Sequence, residues 1–384
     1  MANLLDYISW RGDLPVCIAA PLNDLDALSF ARFSYLPLGE APLEDGDCIA
    51  QVWEKMKELP PESFRRQDRT LLEQMAESPR YRAMQVTDYE KINDPEEEKQ
   101  FAAVTLQTGK DEITVSFCGT DSTVYGWKED FNMSFMEEVP AQATALRYAG
   151  KVFARYPKKR VRLVGHSKGG NLAVYVYYMI PLADRRRVIH VKNFDGPGFH
   201  EELLEEVADR TIVNRIFSYL PADSVFGRIL ERREPEHIVL SEDHDLEQHD
   251  IYNWQVNRTG FVPAESFSDN SNITKTVIDK VMYQNTPSDR KKYIDTIYNV
   301  IASTSAETTA EFRQGFPQNI PTILRTLSEL PQDDWKLLTQ ISREFGSAFA
   351  TERAKVQGEK LSQAAEPLLR LLGGESRKTD EEEK

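Results

Sequence analysis

The pentapeptide Gly165-His166-Ser167-Lys168-Gly169 carries the strongest chemical signal in the chain. A serine hydroxyl is a weak nucleophile unless it is held in a strained, exposed position beside a base. A G-x-S-x-G segment between a strand and a helix supplies that position, because the sharp turn lifts the hydroxyl above the sheet edge and tolerates only small neighbours. The spacing predicts such a turn here, with a buried strand over 161–165, a helix over 169–179, and Gly165, His166 and Gly169 forming the elbow around Ser167. Taken alone, the same letters describe a glycine-rich turn; the flanking strand and helix favour the nucleophile.

The serine then needs a histidine to accept its proton and an acid to fix that histidine's tautomer, in the chain order Ser, acid, His for an elbow of this type. Of six histidines, His166 lies within the elbow and His190 and His200 precede any plausible acid. His237 begins a predicted strand. His244 and His249 lie in the following loop, and His249 is preferred because it leads into the aromatic segment through Tyr252 and Trp254. Asp223, directly after the predicted strand 215–220, is the first choice of acid. Its competitor is Asp195, one strand earlier, which otherwise reads as a turn residue on the pocket wall. The tetrahedral oxyanion needs donors, expected from the Lys168 N–H and from Thr120, whose hydroxyl and N–H follow the strand ending at Cys118-Gly119.

The segment Phe117-Cys118-Gly119-Thr120, followed by Trp127 and Asp130, resembles the class 3, fungal-type lipases, and the likeness covers roughly residues 113–256. It implies an α/β-hydrolase fold with Ser167, Asp223 and His249 as the triad and Thr120 as the oxyanion residue. More narrowly, Asp6-Tyr7-Ile8-Ser9-Trp10-Arg11-Gly12-Asp13-Leu14 and residues 249–256 look like an uncharacterised bacterial lipase-like family. The chain departs from secreted fungal lipases in lacking an export signal and paired cysteines.

The elements that must hold these residues follow from periodicity. Residues 1–93 read as a helical lead-in, with short helices over 24–34, 49–59 and 69–77. Residues 94–272 read as the α/β-hydrolase core: a hairpin of strands 101–107 and 112–117, an amphipathic helix over 141–156, and further strands over 188–194, 215–220 and 237–240. This alternation predicts a mostly parallel sheet covered on both faces. Residues 273–372 read as a C-terminal helical extension, with helices over 274–282, 290–301, 320–330 and 335–349. Residues 373–384 are polar and expected to be disordered.

Composition excludes several classes. With 62 acidic and 47 basic residues among 384, the net charge of −15 disfavours nucleic acid and anionic membrane surfaces as partners. The basic runs 158–160 and 185–187 fall where helices end, which cations favour. No stretch approaches a membrane span and the N-terminus lacks the pattern of a secretory signal, so a cytoplasmic protein is expected. Arg11-Gly12-Asp13 reads as a turn. Cys17, Cys48 and Cys118 have no metal-site spacing and read as free, mostly buried thiols. The letters Asp243-His244-Asp245 suit a metal, but a charged loop around a catalytic histidine explains them equally, so neither metal nor cofactor is expected. The expected reaction is hydrolysis of a small-molecule or lipid ester through an acyl-serine. A thioester substrate, or an alcohol acceptor, would use the same triad, whereas a silent scaffold for protein contacts would lack one of its members.

Overall fold

Seven strands form one mixed sheet in the computed structural model, which describes residues 1–373 except 122, 208–212, 305 and 307. The expected disordered tail therefore lies almost wholly outside the described residues. The strands are β1 (Gln85–Asp94), β2 (Lys99–Gly109), β3 (Glu112–Phe117), β4 (Arg160–His166), β5 (Val188–Phe194), β6 (Ile216–Pro221) and β7 (Glu236–Val239), and they lie side by side in chain order. The β1–β2 and β2–β3 pairs are antiparallel, and every pair from β3 to β7 is parallel. This is the expected α/β-hydrolase class, a mostly parallel sheet flanked by helices.

Sequential order has a steric consequence. Parallel strands connect by right-handed crossovers, so successive connections that advance in one direction put their helices on one face of the sheet. There α6 (Pro140–Arg155) and α7 (Lys168–Met179) pack with Phe101, Ala103, Ile113, Val115, Phe117, Leu163 and Val191 in one buried cluster. The opposite face must be covered by another part of the chain. It is covered by α1 (Leu4–Arg11), α2 (Asp24–Phe33), α3 (Ile49–Met56) and α4 (Arg66–Glu77), whose apolar residues cluster with Val104, Leu106, Val164, Phe194 and Tyr219. The alternation Phe101/Ala103 against Val104/Leu106 along β2 is the period-2 pattern of a strand buried on both faces.

The lead-in is fastened by buried charge. Asp26 and Arg80 form a fully buried ion pair: Arg80 Nε donates to Asp26 Oδ1 at 2.7 Å, and the same carboxylate accepts from the hydroxyls of Tyr7 and Tyr81. The remaining guanidinium hydrogens go to the carbonyls of Leu14, Ala20 and Pro21. Each buried donor thus has a partner, the condition under which a buried pair is tolerated. Arg11-Gly12-Asp13 is a turn closing α1, where Ser78 Oγ donates to the Gly12 carbonyl at 2.7 Å.

Some expectations need correction. β1 falls inside the segment read as helical. Its charged residues Asp88, Glu90, Lys91 and Asp94 hide the strand pattern because it is an edge strand with a half-exposed face. The helix α5 (Val124–Asn132) follows β3 unannounced, and α9 (Glu201–Glu206) likewise follows β5; α8 (Leu182–Arg185) is a single turn between α7 and β5. Beyond the sheet run α10 (Asp269–Gln284), α11 (Pro287–Ala302), α12 (Thr309–Ser328) and α13 (Gln332–Gly373). The expected helix over 320–330 is the second half of α12, which continues through Pro317 and Pro321. All three cysteines are free, but only Cys118 is buried. Of the two basic runs, 185–187 serves helix ends: Arg187 donates to the carbonyls of Phe153 and Tyr156 at the end of α6, and Arg185 to those of Tyr178 and Ile180 at the end of α7, whereas in 158–160 Lys159 donates to the Lys110 carbonyl and Arg160 pairs with Glu112. No described helix is long and apolar enough to cross a membrane.

Removing one partner of a buried pair leaves the other charge stranded. Asp26→Leu is therefore expected to lower unfolding stability by about 3–5 kcal/mol, measured by urea denaturation. A loss below about 1 kcal/mol would mean that Arg80 is solvated in the folded protein, since that is the range of an exposed pair.

Candidate active site

Ser167 sits between the end of β4 and the first turn of α7 with φ +58° and ψ −135°, a conformation that L residues rarely adopt. The turn is tight because strand and helix almost touch. A Cβ on Gly165 would stand 2.0 Å from the Gly169 carbonyl oxygen, and one on Gly169 would stand 2.1 Å from that of Phe117. The expected elbow is thus present, with both glycines required by close approach. The end of β3 comes alongside, since a Cβ at Gly119 would lie 3.0 Å from the Ser167 Cβ.

His249 ends a short 3₁₀ segment, Asp245–His249, beyond β7. Its Nδ1 lies 2.7 Å from Asp195 Oδ2. The structure therefore brings Asp195, rather than Asp223, to the histidine. Asp195 follows β5, the strand next to β4, whereas Asp223 follows β6, one strand farther from the elbow. Asp195 is buried, is itself at positive φ (+53°), and its Oδ1 accepts from Ser224 Oγ at 2.5 Å. Asp223 has a different task. Its N–H donates to Gln248 Oε1 at 2.9 Å, and its Oδ1 accepts from Ser268 Oγ, the cap of α10. Through its N–H it supports the residue before His249.

The ring of His249 lies between two others, His166 at 4.5 Å and Phe226 at 4.6 Å between centroids. His166 also holds the loop backbone, with its Nε2 lying 2.8 Å from the His249 carbonyl oxygen. A carbonyl only accepts, so Nε2 carries the hydrogen. Nδ1, 3.1 Å from the Tyr35 hydroxyl, is then the acceptor in the neutral ring. Burial, with the charges of His249 and Arg32 adding to it, pushes the His166 pKa well below that of an ordinary histidine. A neutral ring against His249 avoids two adjacent cations. The segment after His249 is tied to the lead-in. Trp254 Nε1 donates to the Gln248 carbonyl at 2.8 Å, Asp250 pairs with Arg65, and the Tyr252 hydroxyl donates at 2.8 Å to Asp68, which also pairs with Arg32. His244, the alternative base, is exposed at the start of the 3₁₀ segment.

On the other side of Ser167, Thr120 Oγ1 donates to Asp130 Oδ2 at 2.5 Å. The hydroxyl's one hydrogen is committed to that carboxylate, so the expectation that it points at an oxyanion is corrected; the Thr120 N–H is the donor left for that role. Burial pushes the Asp130 carboxyl up to about 6 against the opposing pull of Lys168. Lys168, expected to contribute only its backbone N–H at the start of α7, also buries its side chain. Nζ donates to Glu129 Oε2 at 2.7 Å and to the Gln100 carbonyl at 2.9 Å. Burial opposes this charge, but Glu129 and Asp130 outweigh it and keep the ammonium protonated. Glu129 further accepts from the N–H groups of Gln100 and Ala141, so a single carboxylate ties β2, α5, α6 and the elbow together. Among the described residues no group of three or more His, Cys, Asp or Glu side chains is arranged to hold a metal.

The model of the Mbeg1-like family matches residues 75–299. The chain belongs to the Mbeg1-like family. The match takes in β1, the elbow, Asp195 and the His249 loop, and leaves residues 6–14 outside it. No curated protein matches the chain. Among solved structures it is similar to a Rhizomucor miehei lipase propeptide complex with a two-residue deletion (11% identity, 67% of this chain and 79% of that chain, TM-score 0.37). It is also similar to lipase II from Rhizopus niveus (10%, 62% and 83%, 0.35) and to a point mutant of MDLA from Penicillium cyclopium (14%, 65% and 93%, 0.35).

Sequence reasoning missed Glu129, Tyr35 and Phe226 and ranked Asp195 second. A positive φ leaves no reliable mark in a lone aspartate, and since Asp195 and Asp223 both follow strand ends, no local signal separates them.

The buried neutral His166 sets a pH dependence. Above about 6.5 it is neutral in both folded and unfolded chains; below that the unfolded chain takes up a proton that the folded one refuses. Stability from this group is therefore lost as pH falls, by about 1.4 kcal/mol per pH unit. The raised Asp130 acts in the opposite sense, taking up its proton first in the folded state, so the comparison is made against His166→Gln. Urea unfolding at pH 6.5 and 5.5 should show the wild type losing about 1 kcal/mol more than the variant. Equal losses would place a charged imidazole at residue 166.

Proposed function

We propose that the chain is a serine hydrolase acting on ester bonds through an acyl-enzyme on Ser167. The observation that carries this reading is the pairing of a strained serine elbow with a histidine whose Nδ1 is held by a buried carboxylate at 2.7 Å. With Nδ1–H donated to Asp195, the other ring nitrogen, Nε2, is the basic one. In the proposed reaction the Ser167 oxygen attacks the carbonyl carbon while its proton passes to His249 Nε2. The resulting imidazolium is stabilised by Asp195, whose second oxygen is held by Ser224. The oxyanion is met by the N–H groups of Lys168 and Thr120. Collapse expels the alcohol, which takes the proton from His249; water then repeats the sequence in reverse and releases the acid. Asp130 and the Lys168–Glu129 pair act as positioning residues. They hold the two backbone donors still, so that little reorganisation is needed as charge develops.

Labelling with a fluorophosphonate tests the nucleophile directly: one adduct on Ser167 is expected, and none on Ser167→Ala. On p-nitrophenyl esters Ser167→Ala should lose at least several hundredfold in kcat, and Asp195→Asn about three to four orders of magnitude, because the asparagine favours the wrong tautomer of His249. Asp223→Asn should stay within about tenfold, since Asp195 and not Asp223 holds His249 Nδ1. An unlabelled wild type would refute the hydrolase reading. Severe loss in Asp223→Asn with little in Asp195→Asn would return the acid's role to Asp223.

A further inference from the structure

Arg232, in the connection between β6 and β7, is a buried cation that the reaction scheme above does not use. Its side chain is 8% exposed, and a guanidinium so placed is costly unless its hydrogens are taken up. The neighbouring carboxylates take them up only loosely. Glu236 Oε1 lies 3.4 Å from Nε and Glu234 Oε1 3.9 Å from Nη1, and the latter oxygen already accepts from the Ser218 hydroxyl. The hydrogen bonds run instead from Nη2 to two backbone carbonyls, that of Gly196 at 3.1 Å and that of Gly227.

Those carbonyls flank the Asp195–His249 pair. Gly196 follows Asp195, and Gly227 follows Phe226, whose ring centroid lies 4.6 Å from that of His249. Gly227 also backs the carboxylate: a Cβ there would stand 2.2 Å from Asp195 Oδ1 and 2.9 Å from the Ser224 hydroxyl oxygen that donates to it. Asp195 is thus packed against the loop that Arg232 ties to the neighbouring backbone. Farther along, the two loops are zipped by the Gly198 N–H on the Ile229 carbonyl at 2.8 Å and by Phe199 and Glu231 in both directions. Asp195 itself stands at φ +53°, a conformation that persists only where its surroundings over-determine it. Its N–H goes to the Tyr219 carbonyl at 2.8 Å and the Gly196 N–H to Asn193 Oδ1 at 2.9 Å, while Arg232 holds the Gly196 carbonyl.

We propose that Arg232 is a positioning residue: by spanning Gly196 and Gly227 it sets the direction in which the Asp195 carboxylate meets His249 and the depth at which Phe226 lies on that ring. The clamp rests on these bonds; its effect on turnover rests also on the hydrolase reading. Guanidinium geometry makes the clamp possible. A planar fork aims the two Nη2 hydrogens at the two carbonyls while Nε faces Glu236. A lysine ammonium gathers its charge on one atom, so it can balance the carboxylates or bridge the carbonyls, but not both. That difference separates positioning from charge balance, which lysine would also supply.

The test uses Arg232→Lys, with Arg232→Met and Arg232→Gln beside it, at a temperature where melting curves show the variants folded. The first readout needs no substrate. The proton between His249 Nδ1 and Asp195 gives a proton NMR resonance downfield of the amide region, identified by its loss in His249→Gln. It should be present in the wild type and lost or shifted in the folded variants, Arg232→Lys included. The second readout is hydrolysis of p-nitrophenyl acetate. There kcat should fall about 10- to 100-fold, the effect of misplacing a group by roughly 1 Å, while KM stays within about threefold. On an Asp195→Asn background the same substitution should lower kcat by less than about threefold, because the group it positions is already disabled. An unchanged resonance or wild-type kcat in folded Arg232→Lys overturns the proposal and leaves Arg232 a counter-ion of Glu234 and Glu236. A full further loss on the Asp195→Asn background, or a wild type without the resonance, overturns it as well. If none of the variants folds, Arg232 belongs to the fold rather than to the site, and the proposal fails. A wild type that hydrolyses no ester refutes the hydrolase reading alone, and the resonance then decides the clamp.

Discussion

The order of the strands governs the rest of the molecule. Because β3 to β7 advance in one direction and each crossover is right-handed, the connecting helices fall on one side and leave the other face of the sheet bare. The lead-in helices cover that face, and in doing so they become part of the active-site frame. Tyr35, just beyond α2, bonds to His166; Arg32 and Arg65 hold, through Asp68 and Asp250, the segment that follows His249. A topology that demands only an apolar cover for its second face has recruited that cover to hold the His249 segment in place.

Around Ser167, charge is arranged by exclusion as much as by pairing. His249 meets the carboxylate of Asp195 and the neutral ring of His166, where a second cation would be costly. On the opposite side Lys168 brings a positive charge directly beneath the residue that would donate to the oxyanion, and Glu129 balances it at 2.7 Å. Pairs of this kind contribute little net stability. Their value here is geometric, since Glu129, on α5, accepts from β2, from the start of α6 and from the first residue of α7 and so holds those segments together.

How far the sequence disclosed all this depends on whether a residue's role is local. The elbow was legible because its pattern is contained in five residues: Gly165 answers to Gly169 four positions on, although Gly169 itself answers to Phe117 on the neighbouring strand. The sheet strands were legible where burial on two faces made apolar runs, and β1 was not, because an edge strand can carry Asp88, Glu90 and Lys91 at no cost. His249 was identified from its place after the last strand and from the aromatics that follow. The carboxylate found beside His249 is not the one first expected, for a non-local reason: both Asp195 and Asp223 follow strands, and only the lateral order of those strands decides which one reaches the histidine. Glu129 and Tyr35 left no trace at all, since their partners lie 39 and 131 positions away.

The backbone bond from Val256 N–H to the Ala2 carbonyl, at 3.0 Å, joins positions at opposite ends of the folded unit. Its consequence belongs to synthesis rather than to the finished fold. At roughly 5–20 residues per second on the ribosome, Leu25, Leu28, Phe30 and Phe33 emerge early and wait about ten seconds to a minute before the last strand and the Trp254 segment exist to meet them. Local contacts cannot shelter these side chains in the interval, and long-range pairing of this kind is slow. The nascent chain therefore carries the apolar side chains of α2 without their partners from the last strand for much of its elongation, which makes a holding chaperone, rather than faster folding, the natural safeguard against aggregation.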